Sequence, residues 1–176
     1  MPQVWTVTPS ADDATKGQLT GPLLQAPCAL GRAGVVPEAD KKEGDGATPA
    51  GTYALRRVFY RPDKEAAPVT RLPVMAINPT LGWCDDPESP DYNRLVRLPT
   101  GASHEKLWRD DARYDLILVL GHNDAPPVPG KGSAIFVHVV EPGFVPTQGC
   151  VAFEASALRS FLRLVAPDDL FWVARL

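Results

Sequence analysis

The sequence has few of the residues that hold metals or disulfide frameworks. Its 176 residues include three histidines and three cysteines (Cys28, Cys84 and Cys150), with no Cys-x-x-Cys motif. Structural zinc sites take four such ligands at close spacing, so we expect no metal site. An odd number of cysteines leaves one thiol over if two pair. Cys28 and Cys84 are able to pair in an oxidising compartment, but two buried free thiols are the favoured interpretation.

The sequence also lacks a strong charge excess and a long apolar run. Its net charge of −3 argues against nucleic acid or an anionic membrane surface as the main partner. No stretch approaches the roughly 18 apolar residues of a transmembrane helix, so we expect no membrane insertion. Residues 1–6 have neither the basic nor the apolar region of a signal peptide. We therefore expect a cytoplasmic protein, or a periplasmic or wall-associated one if a leader segment has been removed.

Turn-forming residues, by contrast, are abundant. Nineteen prolines and fourteen glycines are spread along the chain and divide it into short segments. This pattern is typical of a β-rich fold with many turns. No linker or internal repeat interrupts the sequence, and its length suits one compact core. We expect a single domain over residues 1–176 that is mainly β, with one or two short helices.

Seven segments are predicted as strands, and one as a helix. The strand at 116–120 is continuously apolar and therefore central, whereas the strand at 51–60 partly alternates. The helix is predicted over 154–164, because Leu158, Phe161 and Leu162 recur at helical spacing before Pro167. The remaining predicted strands are 4–8, 28–30, 74–78, 134–140 and 170–174.

The most informative segment joins a histidine and a cysteine. His138 lies in an apolar, β-branched run, and Cys150 follows twelve residues later, directly after Gly149. A thiol is a strong nucleophile only as a thiolate, so it needs a base or an imidazolium beside it. Gly149 permits a sharp bend that turns nearby N–H groups toward a developing oxyanion. We predict Cys150 as nucleophile, His138 as general base and Gly149 as part of the oxyanion site, with the thiol near the N-terminus of the following helix.

This segment resembles the catalytic signature of the L,D-transpeptidase (YkuD-like) family, in which a histidine and a spacer precede Ser/Thr-x-Gly-Cys and a hydrophobic residue. A second segment, formed by Lys41, Asp45 and residues 46–53, is similar to the family's upstream Lys…Asp…Thr-Pro-x-Gly-x-aromatic block. The resemblance covers residues from about 30 to 165 and implies a β-sandwich that cradles the site. The sequence departs from it at two positions. Val139 stands where many members have glycine, and Ala152 where many have arginine.

The resemblance implies cysteine acyl transfer at peptidoglycan stem tetrapeptides or muropeptides. Cys150 would attack the carbonyl of the L-centre of residue 3 and release D-alanine. The thioester would then pass to water, as in an L,D-carboxypeptidase, or to the amine of a second stem, as in an L,D-transpeptidase that forms 3→3 crosslinks. The absent export segment and the absent arginine favour water. Thiol and imidazole suffice, so no cofactor is implied.

The resemblance also implies that carbapenems acylate Cys150. Two alternatives have other outcomes. A catalytically silent wall-binding module would keep the fold with an unreactive thiol. A Cys-His hydrolase acting on another amide or ester would be acylated by generic esters without turning over stems.

Five further residues are predicted to contact substrate, each with a structural alternative. His122 and Asn123 follow the central strand and either line the pocket or form a polar turn, and His122 is also the rival base. Trp83 is either a lid aromatic or part of the core. Thr147 and Asp45 either contact substrate or brace their own loops.

With no arginine at position 152, the residue that would bind a substrate carboxylate is open. Lys41, Arg57 and Arg94 are candidates, and nothing in the spacing selects among them. His104 lies among Ser103, Glu105 and Lys106, a segment we expect to be a solvated surface.

Overall fold

The protein is described by a computed structural model that covers residues 1–175. The chain over these residues forms thirteen strands, one α-helix and a single 3-10 turn at Glu38–Asp40. The predicted mainly β fold with one or two short helices is confirmed. The strands are β1 (Val4–Pro9), β2 (Lys16–Thr20), β3 (Gln25–Ala29), β4 (Val35–Pro37), β5 (Thr48–Tyr60), β6 (Val74–Ala76), β7 (Leu81–Cys84), β8 (Leu95–Arg97), β9 (His104–Lys106), β10 (Leu116–Leu120), β11 (Phe136–Val139), β12 (Val151–Phe153) and β13 (Leu170–Val173), and the helix α1 spans Ala155–Leu164.

The main sheet closes on itself. Its strand order is β10-β11-β12-β3-β2-β1-β13-β5, and β5 pairs in turn with β10. The closure depends on the length of β5, whose 13 residues pair with β13 at one end and with β10 at the other. The edges of the expected sandwich are therefore joined, which leaves no free hydrogen-bonding edge between β5 and β10.

Strand β10 separates two apolar cores. Leu116, Leu118 and Leu120 point into the larger core inside the closed sheet, whereas Ile117 and Val119 point into a smaller core on the outer face. Both faces of this strand are thus covered, which explains its continuous apolar run.

The helix α1 covers the larger core. Its apolar stripe, Leu158, Phe161 and Leu162, is fully buried there, and the Phe161 ring meets Trp5 edge-on at 5.0 Å between centroids. Burial of each such side chain stabilises the fold by about 1.5–3 kcal/mol.

A three-stranded sheet, β8-β7-β9, covers the smaller core. Trp83 of β7 packs edge-on against Phe136 of β11, with ring centroids 5.2 Å apart. None of these three strands was predicted, because each is only three or four residues long and β8 and β9 carry charged residues. The predicted strand at 134–140 begins two residues later, since Ala134 has a φ of +52° that a strand does not accept.

Three further observations concern the residues that the structure describes. No helix among them is long and apolar enough to cross a membrane. No cluster of three or more His, Cys, Asp or Glu side chains is placed to hold a metal ion. Cys28 lies on β3 in the larger core and Cys84 ends β7, and neither forms a disulfide.

Candidate active site

Cys150 and His138 line one cavity of about 240 Å³, which we call the main cavity. Thr147 and Ala152 line it as well. Strands β11 and β12 run parallel, and His138 lies in register with Ala152. Side chains two residues apart on a strand share a face, so Cys150 and Ala152 belong to the face of His138, outside the closed sheet. The structure therefore brings the two main predicted residues together.

His138 is held by the chain itself. Its Nδ1 lies 2.9 Å from the carbonyl oxygen of Val139. A carbonyl only accepts hydrogen bonds, so Nδ1 carries the proton and Nε2 keeps its lone pair. Burial lowers the pKa of His138 to about 4, and the imidazole is thus neutral at pH 7. The Tyr114 ring packs edge-on at 5.3 Å and limits its orientation.

Cys150 is also buried and neutral. Burial raises the pKa of its thiol to about 12, and the charge of Glu105 adds to the increase. The Sγ–H donates to the carbonyl of Ala134 at 3.2 Å, and Sγ accepts the N–H of Phe136 at 3.4 Å. No hydrogen bond joins Sγ to His138 within residues 1–175. The pair is a neutral thiol and a neutral base, an arrangement that favours proton transfer in step with attack.

The turn before Cys150 requires glycine. Gly149 has a φ of +134°, and a Cβ at this position would lie 2.7 Å from the carbonyl oxygen of Ala47. Thr147 Oγ1 donates to the carbonyl of Cys150 at 2.6 Å and accepts the Gly149 N–H at 3.1 Å. The Thr147 hydroxyl therefore braces the turn. Within the described residues, the Cys150 N–H donates to no side chain and to no loop carbonyl.

The upstream block supports this turn from behind. The Asp45 carboxylate accepts three hydrogen bonds. The donors are the Lys41 ammonium, the Lys42 N–H at 2.8 Å and the Ala47 N–H at 2.9 Å. It thereby fixes Ala47, whose carbonyl lies against Gly149. Asp45 does not line the main cavity, and the structure gives it the bracing role rather than the predicted substrate contact.

The profile of the YkuD family, described as the L,D-transpeptidase catalytic domain, matches residues 14–173. The chain belongs to this family. The matched range includes both sequence blocks, the residues of the main cavity and most of the closed sheet. Membership supports a cysteine-dependent acyl-transfer role, and this role is compatible with either water or an amine as the acceptor.

Solved structures of L,D-transpeptidases are similar at low identity. L,D-transpeptidase 1 of Mycobacterium tuberculosis is 12% identical, with 97% of this chain and 62% of that chain covered and a TM-score of 0.39. The Mycobacterium smegmatis L,D-transpeptidase is 14% identical, with 99% and 59% covered and a TM-score of 0.43. L,D-transpeptidase 3 of M. tuberculosis, solved with a faropenem-derived adduct, is 11% identical, with 98% and 61% covered and a TM-score of 0.43.

The present chain thus spans about three fifths of the length of these structures. No curated protein matches it significantly in sequence.

Besides Asp45, three more of the five predicted substrate contacts lie away from the main cavity of this L,D-transpeptidase domain. Trp83 and His122 line a second cavity of about 250 Å³. The Trp83 indole donates to Asn93 at 2.9 Å and belongs to the smaller core, which favours the core role over the lid role. The side chain of Asn123 closes its own loop through two hydrogen bonds with the backbone of Val128, at 2.8 and 3.0 Å.

The structure places His122 away from Cys150. Its Nε2 bonds the carbonyl of Lys131 at 3.1 Å, and its Nδ1 faces Glu38 at 3.5 Å. Burial lowers its pKa. The ring lies outside the main cavity, which favours His138 over His122 as the base.

The charged wall of the main cavity was missed at the sequence level. Glu105, on β9, lines the cavity, contrary to the solvated surface that was predicted for its segment. The Tyr114 hydroxyl donates to it, and burial raises the pKa of Glu105. Arg109 and Arg113 also line this wall. The available signal was the cluster of mixed charges at 109–113, directly before a tyrosine and the central strand.

Ala152 stands where the family resemblance implies an arginine, but Arg109 and Arg113 supply arginine side chains to the same cavity. Ala152 places only a methyl group in the main cavity, and the arginines there come from the segment between β9 and β10. The candidates named from sequence lie elsewhere. Arg57 and Arg94 line the second cavity, and Lys41 is buried against Asp45.

Proposed function

We propose that this L,D-transpeptidase domain is a cysteine acyl-transfer enzyme that acts on peptidoglycan stem tetrapeptides or muropeptides. One observation carries the proposal. Cys150 and His138 line the same cavity, and a backbone carbonyl holds the imidazole with its Nε2 unprotonated. A nucleophile beside an oriented neutral base is the arrangement that acyl transfer requires. The scaffold needs no acidic third member, because the Val139 carbonyl orients the ring.

The proposed reaction begins with a neutral thiol. As Sγ of Cys150 attacks the carbonyl carbon at the L-centre of residue 3, Nε2 of His138 takes the thiol proton. The resulting oxyanion lies against the Cys150 N–H, which no side chain or loop carbonyl of residues 1–175 engages. Collapse breaks the bond to D-alanine, whose amine receives the proton from His138. A thioester and free D-alanine result.

We propose water as the acceptor of the thioester, which makes the enzyme an L,D-carboxypeptidase. Water gives its proton to His138, its oxygen bonds the acyl carbon, and the thiol leaves with that proton. The support is Ala152, which stands where the resemblance to the family implies an arginine. An L,D-transpeptidase that uses the amine of a second stem is the same-mechanism alternative. The cytoplasmic location stays a prediction.

The test is a product assay with the intact protein. A disaccharide-tetrapeptide is incubated with the wild type and with Cys150→Ala, and products are read by mass spectrometry. We expect loss of one D-alanine to give the tripeptide, in the wild type alone. A 3→3 dimer, or exchange of D-alanine for an added D-amino acid, would replace hydrolysis by transpeptidation. Equal turnover by Cys150→Ala would contradict the proposal.

A silent wall-binding module is the second candidate, favoured by one observation. Sγ of Cys150 is bonded to backbone groups of Ala134 and Phe136 rather than to His138. Intact-protein mass after exposure to a carbapenem separates the two. The enzyme gains the mass of one carbapenem, and the Cys150→Ala variant gains none. An unmodified wild type that still binds tetrapeptide would favour the silent module.

A further inference from the structure

The second cavity is separate from the reacting groups. Its volume of about 250 Å³ is close to that of the main cavity, and neither Cys150 nor His138 lines it. The rings of Trp83 and Phe136 line it, with centroids 5.2 Å apart. Phe59 of β5 adds a third ring, 6.5 Å from that of Trp83. We call these three rings the aromatic floor. A concave surface with such a floor favours a ligand with an apolar or aromatic body.

A bulge in β5 brings two adjacent arginines to this cavity. In the pairing of β5 with β10, Leu55 is opposite Leu120 and Arg57 is opposite Val119. Arg56 is therefore an extra residue, and both arginines are exposed and line the second cavity. Adjacent side chains of a regular strand point to opposite faces. The bulge thus lets these two neighbours serve the same cavity.

Arg57 and Arg94 reach the aromatic floor from two different sheets. Arg57 and Phe59 lie two residues apart on β5, after the bulge, and share its outer face. Arg94 directly precedes Leu95, which pairs with Trp83 in the small sheet. Because the rings of Phe59 and Trp83 pack edge-on, the two arginines belong to one site rather than to two separate surfaces.

The charge at the second cavity is positive, unlike that of the whole chain. Arg56, Arg57 and Arg94 line it against a single carboxylate, Asp124, whereas the net charge of the protein is −3. Asp124 is engaged by Arg56 through two hydrogen bonds, at 2.8 and 3.0 Å. The guanidinium groups of Arg57 and Arg94 form no hydrogen bond or ion pair within residues 1–175. Two cationic forks therefore remain for an anion.

We propose that the second cavity binds a small amphipathic anion, with its carboxylate or phosphate on Arg57 and Arg94 and its apolar body on the aromatic floor. Guanidinium forks match the oxygens of either anion. A dry cavity of roughly 150 Å³ accommodates benzene, so about 250 Å³ leaves room for a bicyclic body and its anionic group. The inference does not rest on the proposed function, since no reacting group lines this cavity.

The aromatic floor also supports the nucleophile from behind. The N–H of Phe136 donates to Sγ of Cys150 at 3.4 Å. Oδ1 of Asn93 accepts both the Trp83 indole at 2.9 Å and the N–H of Ala134 at 3.1 Å, and the Ala134 carbonyl accepts the thiol. Substitutions in the floor would thus disturb the thiol as well as the second cavity. The exposed arginines are the better sites for a test.

The experiment measures calorimetric binding of four probes to the intact protein. They are 1-naphthaleneacetate, 1-naphthyl phosphate, the neutral 1-naphthaleneacetamide, and acetate. We expect both naphthyl anions to bind on the order of 10-fold more tightly than the amide, and acetate to bind undetectably. Added salt should weaken the two anions and leave the amide unchanged. The tighter of the two anions identifies whether carboxylate or phosphate is preferred.

Two variants locate the site. Arg57→Gln and Arg94→Gln should each weaken the naphthyl anions on the order of 10-fold and leave amide binding unchanged. Arg97→Gln is the matched control, because Arg97 is an exposed arginine of β8 that lines neither cavity, and it should bind all probes as the wild type does. All three side chains are exposed, so the unfolding temperature should not change.

The outcomes separate this inference from the proposed function. Amide binding as tight as that of the anions would overturn the role of the arginines, and no binding of any naphthyl probe would overturn the site. Affinities that both arginine variants leave unchanged would place the probes elsewhere and also overturn it. A protein that binds the anions as expected but turns over no muropeptide would keep this inference and contradict acyl transfer.

Discussion

Two buried histidines of this domain differ in what their free nitrogen faces. His138 and His122 both lie less than 6% exposed, and burial lowers the pKa of both. His138 bonds a carbonyl through Nδ1 and keeps Nε2 for the cavity that holds Cys150. His122 bonds the Lys131 carbonyl through Nε2, and its Nδ1 faces Glu38. Residue type and burial are the same, so the bonded nitrogen and the cavity it faces distinguish a base from a structural histidine.

The largest expected effect is the loss of kcat when His138, rather than His122, is replaced. His138→Gln should lower the kcat of acyl transfer at least about 100-fold, because no base then takes the thiol proton. His122→Gln should keep kcat within a few fold, although losing the Lys131 contact should lower stability. Product assays at saturating muropeptide, with thermal unfolding of both variants, measure the contrast. A comparable loss of kcat in folded His122→Gln would restore the rival-base hypothesis.

A second substitution tests the turn that presents the thiol. Gly149→Ala should cost about 1–3 kcal/mol of folding free energy and most of the activity, because its φ is +134° and the new Cβ would press on the Ala47 carbonyl. Gly101→Ala is the matched control, since nothing lies within 4 Å of its Cβ position. Urea unfolding of both variants measures the difference. Equal unfolding free energies would show that the turn is not strained by a side chain.

The pH dependence sharpens the comparison further. The His138 base must be neutral, so kcat/KM should fall on the acid side only as pH approaches about 4, not near the ordinary histidine value. The unfolded chain binds a proton at His138 near pH 6.5 that the folded chain does not, so stability should rise with pH between about 4 and 6.5. His138→Gln should flatten part of that rise. An acid limb near pH 6.5 in the wild type would contradict the buried, neutral state.

A smaller effect concerns the hydroxyl beside the nucleophile. Thr147→Val removes the hydrogen bonds to the Cys150 carbonyl and the Gly149 N–H, and should cost about 1–2 kcal/mol. Thr147→Ser keeps the hydroxyl and is the control. Denaturant unfolding and kcat are measured together for both variants. A rise in KM with unchanged stability in Thr147→Val would instead indicate the substrate contact that was first predicted.

The smallest expected effect is at Trp83. Trp83→Phe keeps an aromatic ring against Phe136 and removes the hydrogen bond to Asn93, so we expect a loss of about 1 kcal/mol in stability and an unchanged KM. Tyr60→Phe, a partly buried aromatic of the larger core, provides the comparison. A several-fold rise in KM for Trp83→Phe alone would return this residue to the substrate site.

The sequence was sufficient where chemistry follows local order. His138 on a β-branched strand and Cys150 after a glycine belong to one short segment, and this segment together with the upstream block at 41–53 predicted a shared site. The apolar run at 116–120 likewise predicted a central strand, because both of its faces are covered.

The sequence was insufficient where the result depends on how distant segments pack against each other. The predicted helix follows Cys150, but β12 lies between them. Phe153 of that strand and Phe161 of α1 pack in the larger core, whereas the thiol points to the other face. The expected helix-terminus support for the thiolate is therefore absent. Glu105 and Arg113 belong to a charged segment whose sequence resembles any solvated loop, and only its packing beside β11 turns it toward the cavity.

The buried state of Cys150 has a chemical consequence beyond catalysis. Oxidants and alkylating agents react with the thiolate, and a thiol with a pKa of about 12 supplies almost none at neutral pH. Cys28, whose pKa burial also raises to about 12, is protected in the same way. The folded protein therefore shields its nucleophile from chemical damage between turnovers. We therefore expect slow iodoacetamide labelling of Cys150 at pH 7 in the folded protein.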